Sequence, residues 1–167
     1  GFMSELMDQT AWEQAELIVF GRKVTEPRMS VWYAEAGMDY VYSGTARTAH
    51  RFTPVLTGLR DLVQLRTGAP FNSALVNLYR NGDDHLGWHA DNEECNGPEP
   101  TIASLSFGAE RRFDLRHRGT GETRRVVLPH GSLLVMSGLL QQCWVHQVPV
   151  MRRVSSARIN VTFRLVR

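Results

Sequence analysis

His89, Ala90 and Asp91, with His146 far downstream, supply two imidazoles and one carboxylate, the donor set that holds a non-heme iron(II) ion while leaving coordination positions open. In an extended segment residues i and i+2 point to the same side, so His89 and Asp91 can reach one ion while Ala90 faces away. The third ligand must then come from another strand. His146 sits in Trp144-Val145-His146-Gln147-Val148-Pro149, an aromatic and β-branched run of the kind that forms one. On these residues alone a second reading stays open, namely two solvated surface groups and a satisfied core histidine.

Near the C-terminus Arg158, Asn160, Thr162 and Arg164 alternate with Ile159, Val161, Phe163 and Leu165, which gives a terminal strand one apolar and one hydrogen-bonding face. One reading is a half-exposed strand with two solvated arginines. The other is a polar face lining a pocket, where the two guanidiniums clamp the ends of a dicarboxylate through forked, charge-assisted hydrogen bonds. An iron site beside such a clamp points to 2-oxoglutarate as co-substrate. Asn77 and Tyr79 share a strand face opposite Ala74, Val76 and Leu78 and can add an amide and a phenol to the same pocket.

Four segments in order carry a wider resemblance: Asn77-Leu78-Tyr79-Arg80-Asn81-Gly82, Trp88-His89-Ala90-Asp91-Asn92-Glu93, Ile102-Ala103-Ser104-Leu105-Ser106-Phe107-Gly108-Ala109 and Arg158-Ile159-Asn160-Val161-Thr162-Phe163-Arg164. Together they resemble the AlkB family of Fe(II)/2-oxoglutarate-dependent dioxygenases, and the likeness extends upstream through Phe20-Gly21, Pro27-Arg28 and Tyr40-Val41-Tyr42-Ser43-Gly44. It is nearest to the branch that demethylates nucleic acid bases. The resemblance implies a double-stranded β-helix, a form of jelly roll, with His89, Asp91 and His146 as ligands of Fe(II) and with 2-oxoglutarate and O2 as co-substrates. It places Arg164, helped by Asn77, at the carboxylate near the metal, and Arg158, Tyr79, Asn160 and Thr162 at the distal end. The implied reaction is oxidative demethylation of N-alkylated bases in DNA, with RNA as a second candidate substrate. In it 2-oxoglutarate becomes succinate and carbon dioxide, a base N-methyl group is hydroxylated, and the resulting hemiaminal releases formaldehyde.

A methyl on a base-pairing nitrogen is hidden inside a duplex, so the nucleotide must be flipped out or already single-stranded. By the family's pattern Tyr42 stacks on one face of the base, the His89 imidazole lies on the other, and Tyr40 and Glu93 contact the base edge. Read without the family, Tyr40 and Tyr42 equally suit a packed lid strand, and Glu93 a solvated loop carboxylate. Phe20 suits an apolar wedge that fills the gap left by the base, or an aromatic of an early core strand. Arg28 is a candidate contact to phosphate or to the lesion strand. Arg111, Arg112, Arg116, Arg118, Arg124 and Arg125, followed by Arg152 and Arg153, form a basic segment suited to phosphates or, with Glu110, Asp114 and Glu122 interspersed, a solvated hairpin. Two other functions fit parts of the pattern: a 2-oxoglutarate-dependent hydroxylase or demethylase of protein or small molecule, and a non-catalytic nucleic-acid-binding module.

These groups have to be positioned by a single domain over residues 1–167, since 167 residues build one substantial core and not two. Gly1-Phe2 ahead of Met3 carry no assigned role, and a short natural segment before them is expected. The formal charge of +2 and a pI near 8.8 permit anionic partners without requiring them. Cys95 and Cys143 are too few for a disulfide scaffold, and nothing resembles a signal segment or membrane span. The expectation is a monomer in a reducing intracellular compartment, cytoplasmic or, in a eukaryote, nuclear. Cys143 lies close enough to His146 in sequence to be considered as a ligand, but a small buried hydrophobe suits it better.

Thr53 as N-cap, Pro54 as first helical residue, an apolar stripe of Val55, Leu56, Leu59, Leu62 and Val63, and Gly68 as stop define one helix. A second helix is expected through Ser4–Glu16. From residue 71 onward short strands are separated by turn signals at Asn81-Gly82, Gly108, Gly119–Gly121, His130-Gly131 and Gly138. This is a mainly β fold buttressed by one or two helices, and its strand spacing suits a sandwich as well as a jelly roll.

Overall fold

The computed structural model describes residues 1–19, 22–35, 40–42, 45–47 and 49–167, with residues 17–19, 40–42 and 45–47 described by their backbone. The chain begins with α1 (Phe2–Gln9), a hairpin of β1 (Glu16–Val19) and β2 (Arg22–Thr25), then β3 (Met29–Ala34), a short hairpin of β4 (Tyr40–Tyr42) and β5 (Thr45–Arg47), and α2 (Pro54–Thr67). There follow β6 (Ser73–Tyr79), β7 (Leu86–His89), a 3-10 turn at Glu94–Asn96, β8 (Ile102–Gly108), β9 (Arg111–His117), β10 (Thr123–Leu128) and β11 (Leu133–Met136). A single helical turn, α3 (Leu140–Cys143), leads into β12 (Trp144–Val148), and β13 (Arg158–Arg164) closes the fold.

The strands assemble into a five-stranded sheet in the order β11-β8-β13-β6-β3 and a four-stranded sheet in the order β10-β9-β12-β7, antiparallel throughout. Alternation decides what each face does. Ala74, Val76 and Leu78 of β6, Ala103 and Phe107 of β8, and Ile159, Val161 and Phe163 of β13 form the outer face of the larger sheet. They pack with Leu6 of α1 and with Val55, Leu56, Leu59 and Val63 of α2. Asn77, Tyr79, Ser104, Ser106, Arg158, Asn160, Thr162 and Arg164 therefore point inward, toward the smaller sheet. β13 is buried along its whole length because both of its faces are covered, which removes the half-exposed alternative for this strand. A second apolar cluster of Tyr79, Ile102, Phe113, Leu115, Leu128, Met136 and Val148 fills the space between the sheets.

Helix α2 begins and ends as its sequence predicts: Thr53 Oγ1 accepts the Leu56 N–H, Pro54 opens the helix, and Gly68 adopts φ 68 at its end. Leu62 does not join the buried stripe and is 52% exposed, since it falls at the margin of the face set by Val55, Leu56, Leu59 and Val63. The first helix is shorter than Ser4–Glu16. It stops at Gln9 because Thr10 turns extended at ψ 126, the Trp12 indole N–H closes back on the Met7 carbonyl, and Glu16 already belongs to a strand. Strands also precede residue 71. The most important is β3, whose apolar run Val31-Trp32-Tyr33-Ala34 pairs with β6 and extends the larger sheet.

The loop between β6 and β7 is held rigidly. The Met151 N–H donates to the Gly82 carbonyl and the Gly82 N–H to the Val154 carbonyl, and a Cβ on Gly82 would overlap the Met151 carbonyl. In the same loop Asp84 accepts hydrogen bonds from the Arg80 backbone N–H and from its guanidinium at 2.8 and 2.9 Å. Burial by itself would push the Asp84 carboxyl up, but Arg80 and then Arg111 outweigh it and hold the group below its ordinary value. A lowered carboxyl contributes stability above the unfolded-state pKa, which is lost as pH falls through the folded value. Asp84→Asn is therefore expected to cost about 1–2 kcal/mol at neutral pH. In chemical denaturation followed against pH, the gap from wild type should close below about pH 4. A gap that persists unchanged into acid would show that the charge is not what holds the loop.

Candidate active site

His89 ends β7, and His146 lies directly opposite it in the ladder with β12, so sheet register alone brings the two rings to a 4.3 Å centroid separation. Asp91 follows two residues after His89, just beyond the strand. Its Oδ2 is 3.4 Å from His146 Nε2 and its Oδ1 is 4.0 Å from His89 Nε2. The donor atoms of these three residues lie within 4.8 Å of one another, a span that one metal ion fits, and Cys143 is not part of the group. Cys143 is half-buried at the end of α3 rather than fully buried. The His89 Nδ1–H can donate to the Gly87 carbonyl at 2.7 Å, which fixes the tautomer that offers Nε2 as ligand. Phe113 stacks on His146 at 5.0 Å and limits its rotation.

The electrostatics suit metal ligation near neutral pH. Burial foremost, and then the adjacent His146, pull His89 down to about 4, against the opposing effects of Asp91 and the Gly87 carbonyl. Its imidazole is neutral and its lone pair available. Asp91 is fully buried, which by itself would raise its carboxyl. Arg164, whose Nη2 donates to Oδ1 at 2.7 Å, and the two histidines reverse this and hold it well below the usual carboxylate range.

Leu75, Asn77, Tyr79, Leu86, Ser104, Phe113, Met136, Val148, Arg158, Asn160, Thr162 and Arg164 line one cavity together with the three metal-ligand candidates. All six residues expected at the co-substrate site are thus brought together. Asn160 Nδ2 donates to Ser104 Oγ at 2.6 Å and to the Leu105 carbonyl, while its Oδ1 accepts from Thr162 Oγ1 at 2.9 Å. Arg158 is 2% exposed and donates to Ser106 Oγ, but its Nε and Nη1 meet no hydrogen-bond partner and it meets no carboxylate among the described residues. A buried guanidinium lacking a counter-charge is costly, so the cavity has the chemistry of an anion site. Tyr79 packs between Arg158 and Arg111, with guanidinium carbons 5.3 and 5.4 Å from its ring centroid.

Other expected groups fall differently. Arg111 is 1% exposed and donates to the carbonyls of Asn81, Asp84 and Pro149, which corrects its reading as a phosphate contact: it is a structural brace. Arg112 and Arg125 share Asp114, and Arg124 pairs with Glu122, as a β9–β10 hairpin with interspersed charges would have it. Arg116 is exposed, with its guanidinium 4.4 Å from the Trp88 ring centroid. Arg28 lies inside rather than on the surface. Its Nε donates to Asn77 Oδ1 at 2.9 Å, Glu26 is 3.6 Å from its Nη2, and its charge is felt at His89. Glu93 is half-buried and accepts from Asn96 Nδ2 at 2.8 Å. Phe20 lies outside the described residues, as do the side chains of Tyr40 and Tyr42, whose backbones pair with Arg47 and Thr45. Ser104 and Ser106 were legible in principle, since they alternate with the core residues of β8. Gln141, buried against Asp91, carried no sequence signal.

Two facing antiparallel sheets with a two-histidine, one-carboxylate centre between them define a jelly-roll protein with the donor set of a non-heme iron enzyme. The model of the 2OG-Fe(II) oxygenase superfamily matches residues 1–164. The chain is 42% identical over 160 residues to the DNA oxidative demethylase ALKBH2 of Mus musculus, covering 91% of this chain and 67% of that protein. To the alpha-ketoglutarate-dependent dioxygenase alkB homolog 3 of Homo sapiens it is 38% identical over 174 residues, covering 98% of this chain and 60% of that protein. The solved structure of OsALKBH1 superposes with a TM-score of 0.62 over 91% of this chain and 80% of the other, at 15% identity, a likeness of fold. The chain belongs to the AlkB family of 2OG-Fe(II) oxygenases. Fe(II), 2-oxoglutarate and O2 are the cofactor and co-substrates that go with the His89, Asp91 and His146 triad. When bound, they supply the oxidising power, coupled to decarboxylation of the oxoacid. The chain's own residues present the neutral His89 imidazole and the ionised Asp91 carboxylate on the wall of the cavity, with the His146 ring beside them.

Proposed function

We propose that this chain oxidatively demethylates N-alkylated bases in nucleic acid, DNA foremost and RNA second, acting as a monomer in a reducing intracellular compartment. The observation that carries the chemistry is the meeting, on one cavity, of the metal triad and a buried Arg158 that has no carboxylate partner among the described residues. The substrate class is supported by the relative named DNA oxidative demethylase ALKBH2. The chain spans 60–67% of the lengths of the relatives compared above. In this reading Arg164 and Asn77 serve the end of 2-oxoglutarate nearer the metal, and Arg158, Tyr79, Asn160 and Thr162 the distal end. The base enters beside His89, whose side chain keeps 23% of its surface exposed, with Tyr40, Tyr42, Glu93 and Arg28 as contacts and Phe20 as wedge. Exposed Arg116, Arg118, Arg152 and Arg153 offer phosphate contacts of the sequence-independent kind. No helix among the described residues is long and apolar enough to cross a membrane.

Formaldehyde and succinate release tests the proposal on a panel of single-stranded and duplex DNA bearing 1-methyladenine or 3-methylcytosine, equally methylated RNA, and a methyl-lysine peptide. Stoichiometric release on the methylated oligonucleotides is expected, with DNA faster than RNA and no release on the peptide. Turnover on the peptide alone would move the assignment to a protein substrate. Oligonucleotide binding without succinate formation would leave a non-catalytic binding module.

A further inference from the structure

Asp91 presents a problem of positioning that its sequence neighbours do not solve. β7 ends at His89, so the Asp91 backbone N–H has no strand partner, although the residue is 3% exposed. The partner comes from Gln141, fifty positions away, whose side-chain Oε1 accepts this N–H at 2.9 Å. Gln141 is itself 1% exposed, so its amide is shielded from water, and its Nε2 donates to Met136 Sδ at 3.6 Å. It lies on α3, the turn that leads directly into β12 and His146. One side chain therefore joins the loop that carries the carboxylate to the element that carries the distal imidazole.

The same loop is propped further along. The Asp91 carbonyl accepts from Asn96 Nδ2, and that amide also donates to Glu93. The neighbouring Gln142 donates to the Pro98 carbonyl at 2.6 Å but touches nothing at the metal centre. We propose that Gln141 is a positioning residue for the metal site, fixing the Asp91 carboxylate at the distance from His146 that one ion requires. Partners of this kind, which hold ligands rather than bind the ion, typically change metal affinity by about 10- to 100-fold when removed.

The inference rests on the triad as the metal site. Co(II) serves as probe, with affinity read by calorimetry and geometry by the visible spectrum of the aerobic protein. Gln141→Met keeps volume and removes the acceptor, and it should bind Co(II) about 10- to 100-fold more weakly, with an altered visible spectrum. Gln141→Asn stays uncharged but is one methylene shorter, so it withdraws the acceptor from the Asp91 N–H and should weaken Co(II) binding in the same sense; it carries the test if the methionine variant is too unstable to purify, and wild-type affinity in it would equally overturn the role. Gln142→Met, which releases the same loop at Pro98, should stay within about twofold of wild type, since it lies outside the ligand sphere. Wild-type affinity and spectrum in Gln141→Met, or an equal loss in Gln142→Met, would overturn the positioning role while leaving the triad intact. A wild-type protein that binds no Co(II) would overturn the triad and this inference together.

Discussion

His146→Ala and His89→Ala are expected to lower Fe(II)-dependent turnover by at least about 10³-fold at saturating metal, because two remaining donors do not hold an ion in place for chemistry. Both variants should remain folded, as judged by cooperative unfolding, since each removes a side chain without stranding a charge. Asp91→Ala is a different case. The carboxylate is buried and in contact with Arg164 at 2.7 Å, so its removal should abolish turnover and also cost about 3–5 kcal/mol of stability, the penalty of breaking a buried ion pair from one side. Asp91→Asn keeps the shape and separates the two effects. Near-normal demethylation by either histidine variant would remove the assigned triad.

Arg158→Met is expected to move function and stability in opposite directions. Losing a desolvated guanidinium from an anion site should raise the Michaelis constant for 2-oxoglutarate by about 30- to 10³-fold. The substrate-free protein should be as stable as wild type or more so, because a buried charge without a carboxylate gives way to an apolar side chain of similar length. Burial foremost holds the Arg158 guanidinium below its ordinary pKa, with Arg111 adding to the effect and Tyr79 opposing it. Arg167→Lys, at the exposed terminus, should leave both quantities unchanged. An unaltered Michaelis constant in Arg158→Met, or a melting temperature lowered by several degrees, would make Arg158 a structural residue instead.

The sequence by itself determined the chemistry and the faces on which it sits. His89 and Asp91 are two apart, Arg158, Asn160, Thr162 and Arg164 keep strict alternation, and Asn77 and Tyr79 do the same. A period of two is a local property of extended backbone, so these residues share a side whatever else the chain does. The capping of α2 by Thr53 and Gly68 was local for the same reason. What alternation cannot state is which face becomes the interior. β13 could have been an outer strand with solvated arginines, and only the smaller sheet facing its polar side, while α1 and α2 cover Ile159, Val161 and Phe163 on the other, turned the polar face into a cavity wall. Partners across the fold were likewise decided by tertiary structure. His146 meets His89 through the register of β12 on β7, Arg111 left the basic segment to brace three carbonyls, and Gln141 found the Asp91 N–H across fifty residues. In each case the deciding contact is long-range, and burial rather than residue type sets what the side chain does.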